Sequence, residues 1–154
     1  VLTVFRERNL PLVHIQHLSL RPGAAFFIPG TDGVEFHADV QPAGDERVIQ
    51  KSFPNSFRDT PLLEHLASHE INHVVISGMM THMCIDATTR AAFDHGLQCT
   101  VLHDACATRS LSFGSEVVGA GQVHAAFLAA LSAVYAAVTG TDDFIAGLKY
   151  TDQE

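Results

Sequence analysis

Positive charge is scarce in this chain: nine Lys and Arg stand against 17 Asp and Glu in 154 residues, a formal net charge of −8. A nucleic-acid backbone is neutralised by clustered cations, and the sequence supplies no cluster, so nucleic acid is not an expected partner. Long apolar runs are missing as well. No stretch approaches the roughly 20 residues that span a bilayer, and no membrane association is expected. The first residues, VLTVFRERNLPLV, have neither the charged start nor the cleavage site of a signal peptide, which points to a cytoplasmic protein. The three cysteines, Cys84, Cys99 and Cys106, form no CxxC pair, no disulfide framework and no zinc-like spacing, as suits a reducing compartment.

Nearly half of the residues are hydrophobic (47%), enough to build one substantial core, and a single domain over 1–154 is expected. Val1 to Arg8 reads as the tail of an amphipathic helix stopped by Asn9 and Pro11, and Leu12 to His17 as a strand. Arg21 to Gly44 has no period and is long enough to be a working loop over a site. Thr60 with Pro61 marks a helix start whose buried stripe is Leu62, Leu63, Leu66 and Ala67. His73 to Gly78 is a β-branched run of the kind buried on both faces of a parallel sheet. A helix from about Cys84 to His95, a strand from Gln98 to His103, an Ala-rich helix from Ser115 to Leu131, a short strand from Tyr135 to Val138 and a helix from Thr141 to Leu148 complete the alternation. Right-handed crossovers assemble such an alternation into a Rossmann-like three-layer α/β/α fold. Its central sheet is mainly parallel, with sites at the carboxyl ends of the strands.

Cys84 follows the strand-ending turn that begins at Gly78 and stands where a helix begins, so free backbone N–H groups and the positive dipole end favour a thiolate there. The N–H groups of Cys84 and of a residue in the preceding turn supply an oxyanion hole in the same segment. Taken alone, Cys84 reads equally well as an ordinary buried cysteine.

Val75, Gly78, Thr81, Cys84, Ile85, Thr88, Arg90 and Ala92 fall on the pattern V-x-x-G-x-x-T-x-x-C-V-x-x-T-x-R-x-A, and the segment resembles the nucleophile segment of the isochorismatase-like cysteine hydrolases. Upstream, Lys51 followed by Phe53, Phe57, Thr60 and Leu62 is similar to the family's lysine segment. Downstream, Val101 to Ala107 and the helix with His124 match in kind and order. The likeness runs from about Leu10 to Leu148.

The resemblance implies a Cys, Lys, Asp triad. Cys84 is then the nucleophile, Lys51 the cation that steadies the thiolate, and an aspartate the proton shuttle; otherwise Lys51 is a solvated surface lysine. It also implies a non-proline cis peptide at Met79–Met80 that turns the Met80 N–H inward beside that of Cys84. The family's aspartate ends a first strand that precedes the first helix, and no residue of this chain matches that position. The chain is expected to be incomplete at its N-terminus and to lack that strand. Asp32, Asp39 and Asp104 are the acidic residues nearest by context, and none is assigned.

Phe53 and Phe57, with Phe26, Phe27 and Phe36, suggest an aromatic pocket wall to which Thr81 adds a hydroxyl, although aromatics at such spacing are more often core. His65 and His69 share a helix face without a third ligand, and His37 with Asp39 reverses the order of the nicotinamidase metal set, so no metal or other cofactor is expected. His124 reads as a support of the site or as core. The expected activity is hydrolysis of a C–N bond in a small amide, carbamoyl or ureido compound through a covalent Cys84 intermediate, by an amidohydrolase that assembles as a homo-oligomer. The alternative is a noncatalytic member that binds a small ligand or serves as an assembly subunit.

Overall fold

Alternation between β-branched runs and amphipathic segments produces parallel strand pairs joined by helices, because a parallel neighbour is reached only through a crossover connection. The computed structural model describes residues 1–151. In chain order the helices are α1 (Leu2–Glu7), α2 (Leu62–Ser68), α3 (Asp86–Asp94), α4 (Ala120–Ser132) and α5 (Thr141–Thr151). The strands are β1 (Val13–His17), β2 (Arg47–Lys51), β3 (His73–Met79), β4 (Gln98–Ala107), β5 (Leu111–Phe113), β6 (Glu116–Val118) and β7 (Ala137–Thr139). β1 lies parallel to β2, with His17 opposite Lys51. β3, β4 and β7 form a second parallel set in that order.

Two apolar clusters hold these pieces. Ile49 from β2 packs with Leu62 and Leu66 of α2, and β1 (Val13, Ile15) and β3 (Val74) both lean on the same cluster, which ties the two parallel sets together. Val101 of β4, Leu131 of α4 and Ile85 form the other, with Val101 and Leu131 fully shielded from solvent. Truncating Leu131 to Ala costs about 2–5 kcal/mol, the range for a large-to-small change in a core.

β3 and β4 slip register between Ile76 and Gly78, and Gly78 has φ +122°. Only a residue without Cβ enters that region freely, so the glycine lets the strand leave the ladder and turn into the next segment.

The structure departs from the sequence expectations at four places. Ser115 to Leu131 is not one helix: Leu111–Phe113 and Glu116–Val118 pair as an antiparallel hairpin around Gly114, and the helix begins at Ala120. β-branched Val117 and Val118 favour extended chain over the helix that their Ala-rich sequel suggests. Cys84 does not open α3; it lies in a π-helical turn, Thr81–Ile85, that runs into it. Helix α2 starts one residue late, after Pro61, and Thr60 Oγ1 accepts the Leu62 N–H at 3.3 Å. The β3 residues Val74 to Ile76 are half-buried rather than buried on both faces, since among the described residues β3 pairs along one edge only.

Candidate active site

Lys51 ends β2, and strand alternation turns it inward with Ile49: it is 5% exposed. An ammonium so placed needs partners. Nζ donates to Pro54 O at 2.6 Å and to Ser56 Oγ at 3.1 Å. Thr88, one turn beyond Cys84, completes the bracket by accepting the Ser56 N–H (3.1 Å) and donating to Pro54 O (3.3 Å). The Thr88 hydrogen is thereby used, so the Ser56 hydroxyl donates to Thr88 Oγ1 at 2.9 Å. Two of the three ammonium hydrogens are engaged in this bracket. Burial pushes Lys51 below the ordinary lysine range, and the opposite charge of a Cys84 thiolate, with a hydrogen bond to it, pulls it back up.

The segment that carries Cys84 is pinned from two sides. Thr81, with no solvent exposure, shares a 2.9 Å hydrogen bond with His124 Nδ1 on α4. His82 Nδ1 meets Thr108 Oγ1 beyond the end of β4, and the His82 ring lies edge-on to Phe127. Burial, then the charge of Arg109, hold His82 below the ordinary histidine range, so it is neutral near pH 7. The Met79–Met80 peptide is cis. Met80 O accepts the N–H groups of Met83 and Ile85. π-helical turns concentrate at functional sites, and this one sets the backbone of the segment that carries Cys84.

A cavity of about 810 Å³ opens at the carboxyl ends of β1 and β2, where open α/β sheets bind ligands. Its walls include Arg21, Phe26, Lys51, Phe53 and Met83. Of the expected wall residues, Phe53 and Phe26 are there. Phe57 instead packs against Ile49, Leu62 and Leu66 and tilts on His95, while the buried Thr81 hydroxyl serves the turn and offers no surface. A second recess of about 570 Å³ lies at the amino ends of β3 and β4, among His73, Cys99 and Tyr135, away from both Lys51 and Cys84.

The acidic residues considered above do not converge on this place. Asp32 and Asp39 are exposed in short 3₁₀ turns. Asp104 is committed elsewhere: its carboxylate accepts the Thr141 N–H at 2.9 and 3.1 Å and the Thr141 hydroxyl at 2.7 Å, capping α5. Among the described residues no group of three His, Cys, Asp or Glu side chains is placed to hold a metal ion, and no helix is long and apolar enough to cross a membrane. Ser56 and the Pro54 carbonyl escaped the sequence reading. Thr88 was visible there only as one letter of a pattern, since nothing in a sequence says which loop atoms will surround a buried ammonium.

An isochorismatase domain model matches residues 1–143. The isochorismatase family protein YddQ of Bacillus subtilis (strain 168) is 46% identical over 145 residues, 94% of this chain and 81% of that protein. A crystal structure from Oleispira antarctica superposes with a TM-score of 0.89 at 50% identity, over 94% of this chain and 76% of that one. Streptothricin hydrolase of Streptomyces noursei is 37% identical over 67% of this chain and 40% of its own length. Ureidoacrylate amidohydrolase RutB of Variovorax paradoxus is 24% identical over 85% of this chain and 49% of its own.

Proposed function

The chain belongs to the isochorismatase family, and from that premise we propose that this hydrolase cleaves the C–N bond of a small amide, carbamoyl or ureido compound with Cys84 as nucleophile. The Cys84 thiolate attacks the carbonyl carbon, the carbonyl oxygen becomes an oxyanion, and the backbone N–H groups of Met80 and Cys84 are its donors. Collapse of the oxyanion breaks the C–N bond, the nitrogen leaving as an amine with a proton taken from water, and leaves a thioester, or a thiocarbamate from a carbamoyl substrate, which water hydrolyses to release the acid and restore the thiol. Lys51 holds the negative charge first on sulfur and then on oxygen. A thiol suits acyl transfer from nitrogen, whereas cleavage of a vinyl ether calls for acid catalysis. Relatives named as a streptothricin hydrolase and a ureidoacrylate amidohydrolase support the reaction class.

One observation carries this reading: a buried lysine, held by Pro54 O and Ser56 Oγ, that lies near enough to Cys84 for a thiolate there to raise its pKa. A structural lysine has no need of a thiol at that corner. The test is intact mass after brief iodoacetamide treatment at pH 6. A single fast adduct is expected, absent in Cys84→Ala and slowed at least tenfold in Lys51→Met, which keeps the buried stem and removes the charge. Labelling no faster than for a free thiol, and indifferent to Lys51→Met, overturns it.

A second reading, a noncatalytic ligand-binding or assembly subunit, is favoured by the absence of a carboxylate in contact with Lys51 among the described residues. We assign no proton shuttle. We also propose that the chain works in the cytoplasm as a homo-oligomer. The hairpin residues Phe113 (87% exposed) and Val117 (71%) offer apolar surface for a second copy, which sedimentation of Phe113→Ser against the unchanged chain tests.

A further inference from the structure

The charges around the 810 Å³ cavity do not cancel. Three charged side chains line it: Lys51, Asp59 and Arg21. Lys51 donates to Pro54 O and Ser56 Oγ and is near enough to Cys84 to feel a thiolate there. Asp59 has Arg58 beside it at 3.8 Å. Arg21 has no carboxylate partner among the described residues. A chain of net charge −8 thus leaves one uncompensated guanidinium on the wall of its candidate site, where the general field repels anions.

From this we propose that Arg21 is a specificity residue that receives an anionic group, a carboxylate, at the end of the substrate remote from the scissile C–N bond. The proposal rests on the reading of Cys84 as nucleophile and narrows its substrates to small amide, carbamoyl or ureido acids. The place suits the task. Arg21 and Lys51 line one cavity with Met83, the neighbour of Cys84 in the chain, and Phe26 and Phe53 give that cavity an apolar wall. A planar guanidinium offers a carboxylate two parallel N–H donors, which an ammonium does not. His17, between the two cations, is held below the ordinary histidine range by burial and by the charges of Lys51 and Arg21, so it stays neutral and adds no competing charge near pH 7.

N-Iodoacetylglycine and N-iodoacetylglycinamide test this, since they differ only in carrying a carboxylate or a neutral amide at the end remote from the reacting carbon. In both, the Cys84 sulfur bonds to the iodine-bearing methylene carbon and iodide leaves with the C–I electron pair. Rates are normalised to a free small thiol at low ionic strength. The native chain is expected to favour N-iodoacetylglycine by about tenfold, a preference that shrinks with added salt as an exposed cation is screened. Arg21→Gln should abolish most of that preference, read as the ratio of the two rates in each protein, and Arg21→Lys should restore part of it. A preference unchanged in Arg21→Gln overturns the proposal, because Lys51 alone then accounts for the attraction. An N-iodoacetylglycinamide rate equal to that of a free thiol overturns the nucleophile reading and this one with it.

Discussion

Thr81 and His124, 43 residues apart, share a part-buried hydrogen bond that fastens the turn before Cys84 to helix α4. The threonine is fully buried and His124 half-buried, so water replaces a lost hydroxyl only poorly. Thr81→Val leaves the imidazole nitrogen unpaired at a cost of about 1–3 kcal/mol. Cys84 should also alkylate several-fold more slowly as its backbone loosens. Thr81→Ser, which keeps the hydroxyl, should recover both the melting temperature and the labelling rate; recovery of the melting temperature alone would assign the bond a structural role only.

Thr88→Val removes the donor to Pro54 O and the acceptor for Ser56, and so slackens the bracket around Lys51. Stability should fall by about 1–2 kcal/mol. If Lys51 steadies the thiolate, the labelling rate near pH 6 falls about tenfold while the rate at alkaline pH, where any thiol ionises, changes little. Equal loss at both pH values would point to a general collapse of the site.

The other two cysteines should be silent in the native protein. Burial, with the charge of Asp104 adding to it, pushes the Cys106 thiol up to about 11, although the Gly78 N–H works in the opposite direction. Burial raises Cys99 too. Mass spectrometry at pH 8 should find one adduct on the folded chain and three in denaturant. Because the folded value of Cys106 lies above the ordinary 9.0, its contribution to stability is intact below pH 9 and is lost as pH rises toward 11. After discounting for its partial exposure this amounts to about 1–2 kcal/mol.

Asp104 is a helix cap, and Asp104→Ala is expected to lower the melting temperature without slowing Cys84 labelling. Its bond to the Thr141 side chain, then that to the Thr141 N–H, hold the carboxyl below the ordinary 3.8. The folded value being depressed, the cap's contribution is present above pH 3.8 and is lost as pH falls through the folded value. The gap in melting temperature between the two proteins should therefore close in acid. Slowed labelling in the variant would instead give Asp104 a part in the chemistry.

The family, the α/β alternation and the pairing of a lysine segment with a cysteine segment were legible in the sequence. β-branched runs, helix stops and an eight-position pattern ending in Ala92 are local properties, written within a few residues of one another. Local patterning misjudged Ser115 to Val118, where β-branched residues beside an Ala-rich stretch satisfy either state until pairing with Leu111–Phe113 decides. It also gave Cys84 a helix start in place of a π-helical turn, because one extra residue in a turn leaves no trace in composition.

What only the tertiary structure decided is which atoms meet across long separations. Thr81 looked like a wall residue until His124 took its hydroxyl, Phe57 until α2 covered it, and Asp104 was one of three unassigned acidic candidates until Thr141 folded over it. A sequence fixes the residue types and their period along the chain. Burial, hydrogen-bond partners and the balance of charge in a cavity depend on segments tens of residues apart, and each exists only once the fold has brought them together.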